Sequence, residues 1–383
     1  MDYNVLLDNF INLHSSILQR DQKWYASMGE TIGGSELATV MGLNPHKTLS
    51  TLVKEKKKIQ LDPGSRPSRG VACFWGVMLE DIIGEFVQID LGSKIKGDNI
   101  CIRQIPGHRN SPDGYIIANA YFDEKLEFSL WTTDMEPRDD MFQVILLLEF
   151  KCPFTRAPGK TIPSYYKPQV WSGLAVSPMA HKGLFVDAVF RKCSLSDWGS
   201  GAEYDADYHA KDGPLGLPVA WGILNIYFLK YDSSAKDTRR IVKILRNNYF
   251  SSRDDDLGPI DFGETGPSIF NRMLYLVDQK EFKVLSLGMQ FADGRGNIDA
   301  TNFGEPLCDD YELLGFIPWK LFEVNYHLLD RSYGFSEKIE LAVQQVNELM
   351  AQELEPEPIQ EIEISPAEKK DVFSLFASIS KRA

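Results

Sequence analysis

The chain has 383 residues, of which 43% are hydrophobic and 25% are charged, so it is long enough to bury a large core. It lacks the long apolar run of a membrane span and the basic, apolar start of a signal peptide, so we expect neither a membrane protein nor a secreted one. The net charge of −13 argues against indiscriminate coating of DNA but allows a local basic groove. The cysteines are scattered without a CxxC pair, which favours free thiols over zinc or iron–sulfur sites.

The N-terminal third of the sequence predicts helices. Apolar spacing indicates a helix over 3–18, and the Gly-Gly-Ser turn within Thr31–Ala38 indicates the start of a short helix that ends near Gly42. The basic run Lys54–Lys58 has two interpretations, an ordinary solvated face and part of a basic groove. Residues 61–70 are rich in proline and glycine and predict a loop.

A strong helical pattern covers residues 71–89, with a polar stripe on one side. Glu80 falls off that stripe and shares a face with apolar residues that should turn inward. An inward carboxylate is costly unless it is paired or binds a metal, so Glu80 is a candidate ligand. The alternative is a glutamate at the rim of the helix.

The middle of the chain predicts the strands of a sheet. Alternating and apolar runs indicate strands at Ile100–Ile105, Tyr115–Tyr121, 143–151 and Leu184–Phe190, and a helix at Ser164–Ala175. Asp113 lies in a turn between the first two of these strands, and Glu149 and Lys151 close the apolar run.

The pattern weakens beyond residue 195. We expect a strand at Val219–Tyr231, helices at Arg239–Tyr249 and Ser268–Val277, and a long acidic helix at Ser336–Leu354 that ends in a proline-rich linker. The predicted organisation is a core over 1–195, an extension packed on it over 196–354, and a flexible acidic linker and tail over 355–383.

Asp113, Glu149 and Lys151 form a candidate catalytic group. Glu149 and Lys151 are two positions apart on a strand and therefore project to the same face. Carboxylate oxygens suit Mg²⁺, the backbone carbonyl of Phe150 offers a further oxygen, and an ammonium can orient or deprotonate water or offset transition-state charge. The alternatives are a structural Pro-Asp-Gly turn at Asp113 and a surface ion pair at Glu149 and Lys151.

Five segments in order resemble one family of nucleases. The order resembles the PD-(D/E)xK superfamily and, more narrowly, the YqaJ and phage-lambda-type exonucleases of viral recombination, including enlarged versions from large DNA viruses. The similarity covers about residues 24–190. The matching segments are Ile32–Pro45, Gly76–Glu80, Ser111–Gly114, Leu148–Pro153 and Tyr166–Leu174.

The resemblance implies an α/β fold, a PD-(D/E)xK core with a mixed central sheet flanked by helices and a C-terminal α+β extension. It implies a Mg²⁺-dependent 5′→3′ exonuclease that degrades double-stranded DNA from its ends, with two ions and Mn²⁺ as a substitute. By position it implies metal ligands at Asp113, Glu149, the Phe150 carbonyl and Glu80, with Lys151 acting on the attacking water. It further implies that Gln169 positions water or phosphate, and that Ser35 and Gly34 bind the 5′ phosphate.

The same resemblance implies a role in recombination, repair or genome processing, at a cytoplasmic or viral replication site. A ring-shaped homotrimer and a single-strand-annealing partner are also implied. The sequence departs from the phage enzymes in one respect: no arginine lies in Lys23–Met28, shortly before the Gly-Gly-Ser turn, where Lys23 or Arg20 are possible substitutes. The rival functions are a structure-specific or restriction-like endonuclease and a catalytically inactive scaffold or host-interaction protein.

Overall fold

The structure is a computed structural model that describes residues 2–19, 21–62, 71–153, 159–193, 209–210, 213–229, 282–298 and 310–352. One compact unit spans Met1–Val346 and a second spans Asn347–Ala383. The helices predicted at Arg239–Tyr249 and Ser268–Val277, the end of the predicted acidic helix and the tail lie outside the described residues.

The helices begin where the sequence supplies caps. The Asp2 carboxylate accepts the Asn4 N–H at 2.9 Å at the start of α1, and Thr48 Oγ1 accepts the Thr51 N–H at 3.2 Å at the start of α4, because each side chain replaces a missing intrahelical partner. The helices are α1 Tyr3–His14, α2 Gln22–Ser27, α3 Leu37–Val40, α4 Leu49–Leu61, α5 Val71–Asp90, α6 Lys167–Ala175 and α7 Phe335–Ala351.

The strands form one large mixed sheet and two small pairs. The long strands are β4 Gly114–Phe122, β6 Phe142–Lys151, β7 Lys182–Lys192, β10 Ala220–Leu229, β11 Phe282–Phe291 and β13 Tyr311–Leu329. The short strands are β1 Ile32–Gly33, β2 Ile95–Lys96, β3 His108–Arg109, β5 Phe128–Leu130, β8 His209–Ala210, β9 Gly213–Pro214 and β12 Gly296–Ile298.

The large sheet has the order β12-β11-β10-β13-β7-β6-β4-β2, with β5 paired to β4. The β6–β7 pair is parallel and the other pairs are antiparallel. Because α6 connects the two parallel strands, the C-terminal end of β6 leads directly into the segment that carries Gln169. The predicted α/β class, a mixed central sheet flanked by helices, is confirmed.

The sheet is covered on both faces. Ile82, Ile83 and Val87 of α5 pack with one set of strand side chains, while Leu7 of α1 and Val170 of α6 pack with the other set. Every residue of 144–150 on β6 is buried, as expected for an apolar strand at the centre of a covered sheet. The catalytic candidates at the end of this strand therefore stand on a rigid support.

The part of the chain after residue 195 differs most from the sequence-based picture. Strands β11, β12 and β13 were not predicted, and β13 pairs with β7 over ten residue positions. These strands extend the sheet of the core directly. The proposed division at residue 195 stays a prediction.

The strand predicted at Ile100–Ile105 is wrong. Ile100 and Ile102 form only single bridges, to Leu18 and Asn110 respectively. Both side chains are buried against the α1 and α6 side of the core, so packing of isolated apolar residues, and not a continuous ladder, explains the apolar run.

Candidate active site

Two hydrogen bonds to the backbone of β6 hold Asp113 at the end of that strand. Its N–H donates to the Leu148 carbonyl at 3.2 Å, and its Oδ2 accepts the Phe150 N–H at 2.5 Å. Gly114 follows with φ +133°, and a Cβ there would lie 2.5 Å from the Ile95 side chain. The turn therefore needs glycine at this position, and it orients the preceding carboxylate towards β6.

Glu149 and Lys151 lie beside Asp113 on β6. Glu149 is only 2% exposed, and its Oε1 forms an ion pair with Lys151 Nζ. Lys151 Nζ also donates to the Phe150 carbonyl at 3.0 Å. The predicted common face of Glu149 and Lys151 is confirmed, and the alternative of a surface ion pair does not fit a buried carboxylate.

Glu80 joins this group from α5. It is half-buried, and its carboxyl shares a hydrogen bond with Asp113. The structure thus brings three acidic side chains and one lysine together from α5, the turn before β4, and β6.

Burial and the charges of neighbouring side chains shift the pKa values of these groups. Burial raises the pKa of Asp113 well above its ordinary value, and the nearby carboxylates of Glu149 and Glu80 raise it further. Burial also raises the pKa of Glu149, although Lys151 opposes the shift. Burial lowers the pKa of Lys151, but the carboxylates of Glu149 and Asp113 outweigh this and raise it overall. Lys151 is therefore a cation at neutral pH.

The oxygen donors suit a magnesium ion held mainly by water. Asp113, Glu149 and the Phe150 carbonyl are hard oxygen ligands, and burial is the main cause that raises the pKa of the two carboxyl groups. Within the described residues, no group of three or more His, Cys, Asp or Glu side chains is arranged so that it could hold a metal ion. Mg²⁺ commonly uses one or two carboxylates and retains several waters, so the donor set fits this ion.

Gln169 is connected to the site through Tyr166. The ring of Tyr166 lies 5.4 Å from Lys151 Nζ, and the Gln169 N–H donates to the Tyr166 carbonyl at 3.1 Å. Gln169 therefore lies within the first turn of α6, one turn from the residue that contacts Lys151, and its side chain is half-buried.

Gly34 and Ser35 occupy a tight turn beside the same helix. Gly33 is the N-cap of a 3-10 turn, Gly34–Glu36, which leads into α3, so the Gly-Gly-Ser turn opens a short helix as expected, with Gly33 at the N-cap position. Gly34 is buried, and a Cβ there would collide with the amide of Asn110, whereas Ser35 is exposed. The turn and α3 together are too short for a large helix dipole, so any anion bound there needs charged side chains.

One of those charges comes from Lys56, a member of the basic run Lys54–Lys58. Lys56 of α4 is 2% exposed, and its Nζ donates to Glu36 Oε2 at 2.9 Å and to the carbonyls of Met28 and Thr31 at 3.0 and 2.6 Å. Glu36 Oε2 in turn accepts the Gly33 N–H at 2.6 Å. The basic run is therefore neither uniformly solvated nor uniformly a groove, because Lys56 turns into the protein.

Arg109 of β3 adds a second buried cation. Its side chain is 6% exposed, with Nη1 3.9 Å from Glu36 Oε2. Its guanidinium lies 5.3 Å from the Trp24 ring, and both Nη atoms would be 3.2 Å from a Cβ at Gly33. Lys56 and Arg109 both lie close to the carboxylate of Glu36 beside the Gly33–Ser35 turn. The three side chains together carry a net positive charge. Lys23, one of the expected substitutes, is exposed, and Arg20 lies outside the described residues.

Hydrogen bonds connect β3 and the adjacent Asn110, which packs against Gly34, to α6. Ser172 Oγ accepts a hydrogen bond from Asn110 Nδ2 at 2.8 Å and pairs with His108 Nε2 at 3.0 Å. Ser172 lies one helical turn beyond Gln169, and Gly34 packs closely against Asn110 and Ser172. These hydrogen bonds therefore fix the position of the Gly34 turn relative to the part of α6 that carries Gln169.

Part of the chain is similar to a known domain family. Residues 23–180, which include all the candidate residues, match the family described as the YqaJ-like viral recombinase domain. The resemblance to viral recombinases that the sequence indicated is thereby confirmed.

The similarity to viral proteins extends beyond residues 23–180. A protein of African swine fever virus (strain Badajoz 1971 Vero-adapted) is 29% identical over 323 residues, which cover 82% of this chain and 81% of that protein. A protein of the same virus from isolate Tick/South Africa/Pretoriuskop Pr4/1996 is 28% identical over 310 residues, covering 79% and 77%. The alignments are longer than the recombinase domain, so the viral relatives share part of the extension as well.

Among solved structures, an alkaline exonuclease (LHK-Exo) from Laribacter hongkongensis is 18% identical and superposes with a TM-score of 0.30, over 44% of this chain and 74% of that chain.

None of the described helices combines the length and apolar character needed to cross a membrane. The match to the YqaJ-like viral recombinase domain includes the segments that carry Glu80, Asp113, Glu149 and Lys151.

Proposed function

We propose that this protein is a Mg²⁺-dependent exonuclease that hydrolyses double-stranded DNA from its ends in the 5′→3′ direction and leaves 3′ single strands for recombination, repair or genome processing. The observation that carries the proposal is the group of Asp113, Glu149 and Lys151 at the end of β6, within the residues that match the viral recombinase domain. Such a group costs free energy to maintain, because Glu149 is buried and Asp113 and Lys151 are half-buried.

Each residue has a role that follows from its position. Asp113, Glu149 and the Phe150 carbonyl would hold the metal, with Glu80 as the bridge to a second one. The metal would neutralise charge on the scissile phosphate and lower the pKa of a bound water. Lys151, whose pKa the carboxylates of Glu149 and Asp113 raise, would orient the attacking water or stabilise negative charge on the phosphate. Gln169, one turn from Tyr166, would orient the water or the phosphate.

The 5′ phosphate would bind at the Gly34–Ser35 turn. Backbone N–H groups and the Ser35 hydroxyl would face the ligand there, and the net positive charge of Lys56 and Arg109 against Glu36 supplies the attraction. Arg109 thus compensates for the arginine that is missing from Lys23–Met28, although it is distant in the sequence.

Digestion of linear against covalently closed circular duplex DNA tests the reaction. With Mg²⁺ or Mn²⁺, we expect the linear form to be degraded and the circular form to persist, and Lys151→Ala to abolish degradation. Cleavage of the circle would instead identify a structure-specific or restriction-like endonuclease. Intact linear DNA across a range of salt concentrations would refute the nuclease proposal and favour a scaffold or host-interaction protein.

End recognition is tested with 5′-phosphorylated and 5′-hydroxyl duplexes. A hydrogen bond to a charged group contributes about 1.5–3 kcal/mol, so Arg109→Gln should reduce the preference for the phosphorylated end by roughly 10- to 150-fold. The exposed Arg103 provides the matched control, and Arg103→Gln should retain the preference. An unchanged preference in Arg109→Gln would remove Arg109 from this role.

The resemblance also suggests a ring-shaped homotrimer and a single-strand-annealing partner. A ring would keep the enzyme on one duplex while it degrades a strand. Light scattering of the purified chain, with and without linear duplex, measures the oligomeric state directly.

A further inference from the structure

A row of aromatic and imidazole rings leads outward from the catalytic lysine. The Tyr166 ring lies 5.4 Å from Lys151 Nζ, the Tyr165 ring is 4.4 Å from that of Tyr166, and the His46 ring is 5.9 Å from that of Tyr165. Tyr165 and Tyr166 are half-buried, whereas His46 is exposed. The row therefore begins at the candidate active site and ends at the surface.

Tyr166, the inner member of the row, already packs against other side chains of the protein. The Tyr166 ring packs 5.4 Å from Phe185 of β7 as well as against Lys151, and Tyr166 is the N-cap residue of α6. Tyr165 lies one residue earlier, outside the helix, and meets the His46 ring nearly at a right angle, 88°. Tyr165 and His46 are thus the members of the row that lie beyond Tyr166, towards the surface.

The exposed position of His46 is held by local bonds. Asn44 Nδ2 donates to Thr39 Oγ1 at 2.9 Å, and the His46 N–H donates to Asn44 Oδ1 at 2.9 Å. Lys47 forms an ion pair with Glu55 on the other side. Loops with such internal bonds lose little conformational entropy when they bind, so the loop presents its ring in a preorganised state.

We propose that Tyr165 and His46 form a stacking site for an unpaired nucleobase of the DNA strand whose phosphodiester is cleaved beside Lys151. The inference rests on the proposed function, since it assumes DNA at that centre. Aromatic rings bind bases through their faces irrespective of sequence. A nucleotide whose phosphate lies at Lys151 would direct its base along the row, and only a base released from its partner can stack there.

The site has a consequence for the choice of substrate. Stacking on Tyr165 and His46 offsets part of the free energy needed to open the terminal base pairs of a duplex. Stacking contributes about 1–3 kcal/mol per base, so Tyr165→Ala should slow degradation of fully paired ends by roughly 5- to 150-fold. Ends that are already frayed by mismatches need no opening and should be much less affected.

Fluorescence of 2-aminopurine tests the contact separately from cleavage. The probe is a 5′-phosphorylated duplex with a mismatched end that carries 2-aminopurine at the 5′ terminus, bound to the full chain with Ca²⁺ in place of Mg²⁺. We expect binding to quench the fluorescence of wild-type complexes, Tyr165→Phe to retain the quenching, and Tyr165→Ala and His46→Ala to reduce it. Tyr333→Ala is the matched control, because Tyr333 is 92% exposed and has no place in the site.

The outcomes distinguish this inference from the proposed function. Wild-type quenching in Tyr165→Ala, or an equal loss of rate on paired and frayed ends, would overturn the stacking site even in an active nuclease. A wild-type protein that quenches the probe but leaves linear duplex intact with Mg²⁺ would support the stacking site and refute the nuclease activity. Absence of any quenching by the wild-type protein would refute the stacking site.

Discussion

Substitution of Lys56 by methionine examines whether a buried lysine supports the Gly33–Ser35 turn. Methionine preserves most of the length of the side chain but removes three hydrogen bonds, to Glu36 and to the carbonyls of Met28 and Thr31. Breaking a buried ion pair by removal of one partner costs about 3–5 kcal/mol. We therefore expect Lys56→Met to lower the free energy of unfolding by about that amount.

Chemical denaturation followed by circular dichroism measures the change. Lys58 is the matched control, because it lies on the same helix and is exposed, and Lys58→Met should change the free energy of unfolding by less than about 0.5 kcal/mol. The Lys56→Met protein should also lose preference for a 5′ phosphate. If both variants are as stable as the wild-type protein, Lys56 does not hold the turn and the buried charge argument fails.

Two further predictions concern protonation. The raised pKa values of Asp113 and Glu149 mean that protons compete more strongly with a metal ion for these carboxylates, so Mg²⁺ affinity should increase with pH. Calorimetry in buffers of different ionisation enthalpy should detect proton release that decreases in Asp113→Asn; a pH-independent affinity would contradict this. Burial lowers the pKa of His108 to about 4, below the value of 6.5 expected for the unfolded chain. Protonation therefore favours unfolding, and stability should fall as pH decreases from 6.5 towards 4, by at most about 3 kcal/mol. Urea denaturation of His108→Gln should show a flatter pH dependence, and a curve that parallels the wild type would rule His108 out as the cause.

The sequence predicted the supporting elements of the site because their patterns are local. The uninterrupted apolar run before Glu149 and Lys151 indicated a strand buried on both faces, and residues 144–150 are all buried. The apolar face of the 71–89 helix placed Glu80 inward, and α5 covers the same range to within one residue. Strict periodicity thus sufficed to put these side chains on the correct elements.

The sequence was less informative where pairing partners are distant. The long strands β11 and β13 lie after residue 280; both pair with β10, and β13 also pairs with β7, through ladders between residues far apart in the chain. Single-strand patterns do not encode such partners, so these strands were not predicted. For the same reason the apolar residues of Ile100–Ile105 resembled a strand although only single bridges form.

What the sequence alone determined was the types and order of Asp113, Glu149 and Lys151, and the common face of Glu149 and Lys151 on β6. Tertiary structure decided what surrounds them. It placed Glu80 in hydrogen-bonding contact with Asp113, buried Lys56 but not its neighbours in a basic run, and brought Arg109 to the Gly33 turn. These contacts depend on side chains from separate elements meeting in space, and their energies come from burial and charge, which no local pattern contains.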